Sequence, residues 1–249
     1  MEAEDKLLLS KAEDTLRIAQ KRYGVKTLGF LNPKERLFLK QNLLPDADMQ
    51  LFYDGGYADA ERTLLVCAPI FCTPEREEYL AVLECSGRDL DALSHRDYLG
   101  SLMGLGLVRE SIGDILVTEG KAFFFVKPEQ TGYILQNLTK IGRHGVQIRQ
   151  CGLDEVILPT PETKEIHATV SSLRLDSVLA AAVNLARGKA AEVIRAGLVT
   201  VNWEPEEEIS RMLKEGDMLS VRGYGRMRLS SVGGLTRKGR QAIMISRYI

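Results

Sequence analysis

The sequence is poor in groups that bind metals. It has four cysteines and three histidines in 249 residues. Cys67, Cys72, Cys85 and Cys151 form no CxxC pair, and His95, His144 and His167 are scattered, so spacing offers no zinc site. Reduced, buried thiols are expected. Long apolar runs are also missing, and none reaches the length needed to span a bilayer. The first residues, MEAEDKLLLSKAED, are acidic and helical and lack the layout of a secretory leader. A cytoplasmic protein without membrane contact is expected. "GLGLVRE" lacks the third glycine of a dinucleotide fingerprint. "HRD" at 95–97 comes without the other kinase signatures, so a capping role is favoured over a catalytic one. No acid, base or nucleophile cluster suggests catalysis, and neither cofactor nor metal is expected.

The remainder has the makeup of a globular chain: 45% hydrophobic and 27% charged residues. The length allows two or three small domains. Charge is uneven. Residues 1–164 carry 20 basic and 25 acidic side chains, a net of −5, whereas 165–249 carry 13 and 9, a net of +4. That asymmetry favours a C-terminal module facing nucleic acid.

Along the chain, 1–60 reads as a helical N-terminal segment. Leu7, Leu8, Leu16, Ile18 and Ala19 fit helical spacing, with Gly24 as the expected C-terminal cap. A second helix opens with Asn32 as cap, Pro33 at its first position and Glu35 completing a capping box. From 61 to 158 the period changes. "RTLLVCAPIFC" reads as an extra strand that precedes a β-α-β-β-α-β succession starting at Tyr79. Within that succession, Ser94 and Asp97 open a helix, and "GDILVTEG" and "KAFFFVKP" form a hairpin at Glu119–Gly120. This is the order of a ferredoxin-like, RRM-like sandwich, with helices on one face and the other face available. "KAFFFV" also follows the pattern of an RNP1 strand, which would make Phe123 and Phe125 stacking platforms. Burial in the core is the favoured alternative, because such aromatics usually pack. "LPTPETKE", with Pro159 and Pro161, marks a boundary. The fold class is α+β throughout.

From 165 to 249, "SSLRLDSVLAAAVN" predicts a helix capped by its serines, with Asp176 favouring the dipole. A second helix follows from Lys189 to Ala196, and Gly197 suits its left-handed cap. Ala190, Val193 and Ile194 point inward. Lys189, Glu192 and Arg195 share the opposite face, and Arg187 precedes it. The free N–H groups of that helix start favour phosphate; a merely solvated charged face is the alternative. A second basic area combines Arg222, Arg226 and Arg228, on one strand face unless Gly223 and Gly225 make a bulge, with Arg237, Lys238 and Arg240 in a nearby loop.

"LRLDSVLAAAVNLARGKAAEVIRAGLVTVNW…LKEGDMLSVRG" resembles the S4 RNA-binding domain, departing from its usual pattern at Gly188 and Trp203. Together with "FLNPKERLFL" and "SHRDYLGSLMGLGLVRESIGDILV", it resembles the YlmH-type S4 proteins of bacteria and their photosynthetic relatives. The resemblance adds Arg174 and Asn202 to the RNA-binding set. It implies a helical N-terminus, an RRM-like middle and a C-terminal S4 domain. It also implies action on large-subunit ribosomal RNA and on tRNA or peptidyl-tRNA, in rescue of stalled translation, with links to cell division. The expected protein is a non-enzymatic factor, monomeric when free. An RNA-modifying enzyme anchored by S4 and a cytosolic cell-division scaffold remain as alternatives. "LRLD" also echoes the catalytic motif of S4-bearing pseudouridine synthases, but too little chain follows it for that catalytic domain.

Overall fold

The computed structural model describes residues 3–159 and 163–248. The chain divides into two compact units, Met1–Pro159 and Thr160–Ile249. The boundary read from the two prolines falls at this division; Pro161 itself lies outside the described residues. No helix among the described residues is long and apolar enough to cross a membrane.

The first unit opens with α1 (Ala3–Arg22), β1 (Lys26–Leu31), α2 (Pro33–Asn42), β2 (Met49–Asp54) and β3 (Thr63–Pro69). The cap of α2 forms as its sequence predicts. Glu35 N–H donates to Asn32 Oδ1 at 2.9 Å, and Asn32 N–H donates to Glu35 Oε2 at 2.7 Å. The left-handed residue after α1 is Tyr23, not Gly24. The N-terminal segment is not purely helical. Its strands form an antiparallel sheet in the order β1-β3-β2, with Ala12, Leu16, Ala19 and Leu39 of the helices packed on one face. The extra strand expected to precede the middle sheet is therefore the centre of this one. Every residue of β3 is buried, as suits a central strand covered on both faces.

The same unit continues with β4 (Ala81–Gly87), α3 (His95–Gly104), β5 (Ile112–Thr118), β6 (Lys121–Val126), α4 (Pro128–Asn137), β7 (Lys140–Ile141) and β8 (His144–Cys151). The sheet order β5-β6-β4-β8-β7, antiparallel throughout, extends the ferredoxin-like order by the short β7. Asp97 caps α3 by accepting from Ser94 N–H at 2.8 Å and Ser94 Oγ at 2.7 Å.

The opposite face of this sheet is not available. Phe124 faces the helices, beside Tyr98, while Phe123 and Phe125 pack against Phe30, Leu64 and Val66 of the N-terminal sheet. All three phenylalanines are wholly buried. The two sheets approach so closely that a Cβ on Gly113 would lie 2.6 Å from the Phe30 ring. Asp114 fastens the junction by accepting from Tyr57 Oη at 2.7 Å, Glu61 N–H at 2.7 Å and Arg62 N–H at 3.1 Å. The RNP1-like strand is thus core on both sides.

The second unit contains β9 (Thr163–Val170), α5 (Leu175–Ala182), α6 (Arg187–Arg195), β10 (Val199–Val201), β11 (Glu204–Pro205), β12 (Met218–Val221), β13 (Gly225–Leu235) and β14 (Gln241–Tyr248). Its sheet runs β11-β10-β12-β13-β14-β9. Leu175, Leu179, Ala190 and Ile194 of the two helices pack onto Val199, Leu219, Met227 and Ile245 of the sheet.

Candidate nucleic-acid interface

The basic residues singled out in the sequence of the second unit occupy three places. The first is the junction of α5 and α6. No serine caps α5; Arg174 is the capping residue and has an extended backbone. The first N–H groups of α5 are satisfied by the chain itself. Leu175 donates to the Arg211 carbonyl at 2.8 Å, and Asp176 to that of Ile209 at 3.2 Å. This helix start is therefore closed to a ligand. The start of α6 differs: it carries no side-chain cap, Arg187, Gly188 and Lys189 are exposed, and a Cβ at Gly188 would meet nothing within 4 Å. An uncapped, exposed helix start can take a phosphate.

Asp176 lies between the two helix starts, with its side chain 6% exposed. Arg187 donates to it from Nε at 2.9 Å and from Nη2 at 3.2 Å; Arg174 donates from Nε at 3.2 Å and from Nη2 at 3.4 Å. Burial alone would push the Asp176 carboxyl up. The hydrogen bonds from Arg187 and then Arg174 outweigh it, so the group sits below the usual carboxylate range. Both Asp176 oxygens are engaged by these arginines. One carboxylate faces two guanidiniums, so the cluster keeps a net positive charge. Arg187, whose side chain is 51% exposed, is held with part of its donor fork toward solvent. Lys189 pairs with Glu192 on the surface at 2.9 Å, a contact of little strength, and Arg195 is exposed in the last turn of α6.

The second place is the β12–β13 hairpin. Arg222 stands in the turn, its N–H bonded to the Leu198 carbonyl at 2.9 Å. Gly223 and Gly225 take left-handed conformations at φ 86° and 89°. Arg222 therefore does not share a strand face with Arg226 and Arg228. Those two alternate along β13 with the buried Met227 and Leu229 and project from the face opposite the helices. The third place is the β13–β14 turn, where Arg237 and Lys238 are exposed and the Arg240 guanidinium donates to the Thr169 carbonyl at 2.5 Å.

Asn202 belongs to none of these. It forms a two-residue turn with Trp203 between β10 and β11, both in the left-handed region at φ 51° and 67°. Its side-chain amide donates to Asp217 at 2.9 Å, and its Oδ1 accepts from Met218 N–H at 2.9 Å. Both ends of the amide serve the fold. Sequence reading missed the pairing of Asp176 with Arg187, because the two residues lie on different helices.

Residues 74–155 match the family model of the RNA-binding domain in YlmH, and residues 173–219 match the S4 domain. The ribosome-associated protein quality control protein P2 of Bacillus subtilis (strain 168) is 33% identical over 246 residues, covering 98% of this chain and 95% of that protein. The chain belongs to the YlmH family. A solved structure, the cell division protein ylmH from Streptococcus pneumoniae, superposes with a TM-score of 0.52 at 23% identity, over 63% of this chain and 96% of that one. This second likeness concerns the fold. In this YlmH-family chain the match to the RNA-binding domain takes in β4 through β8, and the S4 match takes in both helices with Asp176, Arg187 and Lys189.

Proposed function

We propose that this protein is a non-enzymatic RNA-binding factor of the large ribosomal subunit and its tRNA, working in the cytoplasm in rescue of stalled translation. The observation that carries this reading is the α5–α6 junction within the S4 match. A buried carboxylate orders two arginines beside an uncapped helix start, and Lys189 and Arg195 extend the positive surface. Such a surface suits the phosphates of structured RNA, which is recognised mainly by shape and backbone. The name of the Bacillus relative places that protein in ribosome-associated quality control, and kinship over nearly the whole chain supports carrying that setting here. Arg174, Arg187, Lys189 and Arg195 are assigned as phosphate contacts. Arg222, Arg226, Arg228, Arg237, Lys238 and Arg240 supply further positive charge.

Sedimentation on a sucrose gradient tests the proposal. The full chain, mixed with purified ribosomal subunits, is expected in the large-subunit fractions at low salt. The triple variant R187A/K189A/R195A should shift toward the top while keeping its folded circular dichroism. A parent chain that stays at the top of the gradient overturns the reading.

A further inference from the structure

The first unit holds a cleft that the RNA-binding junction of the second unit does not use. It opens along β2, the edge strand of the N-terminal sheet, and encloses about 750 Å³. That size falls in the range of about 300–1,000 Å³ typical of small-ligand sites. Phe52, Tyr53, Tyr57 and Tyr79 contribute its aromatic walls. These rings are braced from within. Phe52 meets Tyr79 edge-on at 6.3 Å, and Tyr57 lies 5.3 Å from Phe125, one of the buried phenylalanines of the RNP1-like strand.

Three lining residues are charged: Arg36, Arg76 and Asp54. Asp54 is already engaged. It accepts from Arg76 Nε at 2.6 Å, from Tyr79 Oη at 2.7 Å and from Gly56 N–H at 2.8 Å. It therefore fixes Arg76 and Tyr79 in place and cancels one of the two cations, which leaves the lining net positive. Arg36 makes a 3.3 Å bond to the Ala60 carbonyl, and a guanidinium has donors beyond that one. Thr63 also lines the cleft. It is 4% exposed, and its hydroxyl oxygen is sealed from the surface.

Aromatic walls and surplus positive charge describe a site for a planar anion. We infer that this cleft binds a nucleotide, its base on the part-exposed Phe52 and Tyr57 and its phosphate at Arg36 and Arg76. Base stacking on aromatic rings tolerates any sequence, and guanidinium forks match phosphate oxygens. Burial of Phe123 and Phe125 removes the aromatic surface an RRM-like sheet would use, and the cleft supplies a different one in the same unit. The ligand is a free mononucleotide or an unstacked residue of RNA; only the second source rests on the function proposed above.

The test uses the full chain and two fluorescent probes, 2-aminopurine riboside 5′-monophosphate and a six-nucleotide single-stranded RNA with one internal 2-aminopurine. Stacking on Phe52 and Tyr57 quenches this base. Variants R36Q and R76Q should each weaken binding about tenfold or more, the loss expected for a charge-assisted contact. Variant K11A, which removes an exposed charge of α1 that does not line the cleft, should keep the quench. If R76Q fails to fold because Asp54 loses its partner, R36Q alone decides. Quenching of the monophosphate supports a free nucleotide as ligand. Quenching of the oligonucleotide alone, with the same variant dependence, supports an RNA residue. The inference is overturned if neither probe is quenched at millimolar concentration, if R36Q leaves the quench unchanged, or if an acidic peptide binds while both nucleotides do not. A parent chain that quenches the probes but stays at the top of the gradient would remove the ribosomal reading and leave the nucleotide site standing.

Discussion

Replacing Asp176 by Asn tests the arrangement on which the proposed RNA-binding face depends. The side chain keeps its shape and loses its charge. Breaking a fully buried ion pair costs about 3–5 kcal/mol, because a charge is left without a partner. Here the carboxylate is 6% exposed, but the side chains of Arg187 and Arg174 are 51% and 34% exposed. They regain water when released, so the cost is discounted to about 2 kcal/mol. Trp203, the single tryptophan of the chain, lies in the second unit, so its fluorescence follows that unit in a urea titration. With a slope of about 1–3 kcal/mol per molar urea, the midpoint should fall by roughly 1 M. The pH dependence has a definite sign. Asp176 is held below the usual carboxylate range, so its contribution is present above the unfolded value of about 3.9 and is lost as pH falls through the lower folded value. The gap between parent and variant should be full at pH 7 and close only below about pH 4. Identical midpoints at pH 7, or a gap that shrinks between pH 7 and pH 5, would refute the assignment.

Phe123→Ala should destabilise the first unit by about 3–5 kcal/mol, read by thermal melting, because the ring is wholly buried between two sheets. An unchanged melting temperature would mean that the ring is not core. Asn202→Ala should cost roughly 2 kcal/mol in the second unit through two lost hydrogen bonds and a left-handed backbone, with RNA affinity of the folded fraction preserved. Normal stability with weakened RNA binding would instead make Asn202 a direct contact. Gly113→Ala should loosen the packing of the two sheets and lower the melting temperature, since its Cβ would sit 2.6 Å from Phe30.

The elements legible in the sequence are those with local signals. Asn32-Pro33-Glu35 and Ser94–Asp97 announce their helices through caps that close within four residues, and the Gly120 turn sets the β5–β6 hairpin. The KAFFFV run is apolar at successive positions, which suits a strand buried on both faces, and both faces are indeed covered. What covers the second face was not legible. β1 and β2 mix polar and apolar residues, and their partner β3 lies beyond a helix or a loop. The basic stretch from 187 to 195 was legible as charge. Its organisation was not, because the Asp176 carboxylate reaches Arg187 only once α5 and α6 are packed. The fate of Asn202 was hidden for the same reason, since Asp217 and Met218 approach it only through strand pairing.

Phosphate-led binding by the second unit is tested most directly by the salt dependence of affinity for large ribosomal subunits. Each phosphate neutralised releases condensed counterions, so log affinity falls with log salt by about 0.7–0.9 per contact. With about four to six contacts, the parent slope should be roughly −3 to −5. Removing Arg187, Lys189 and Arg195 together should make it shallower by about 2–3, with the fold retained. A parent slope near zero, or a triple variant with the parent's slope and affinity, would contradict phosphate recognition by this face.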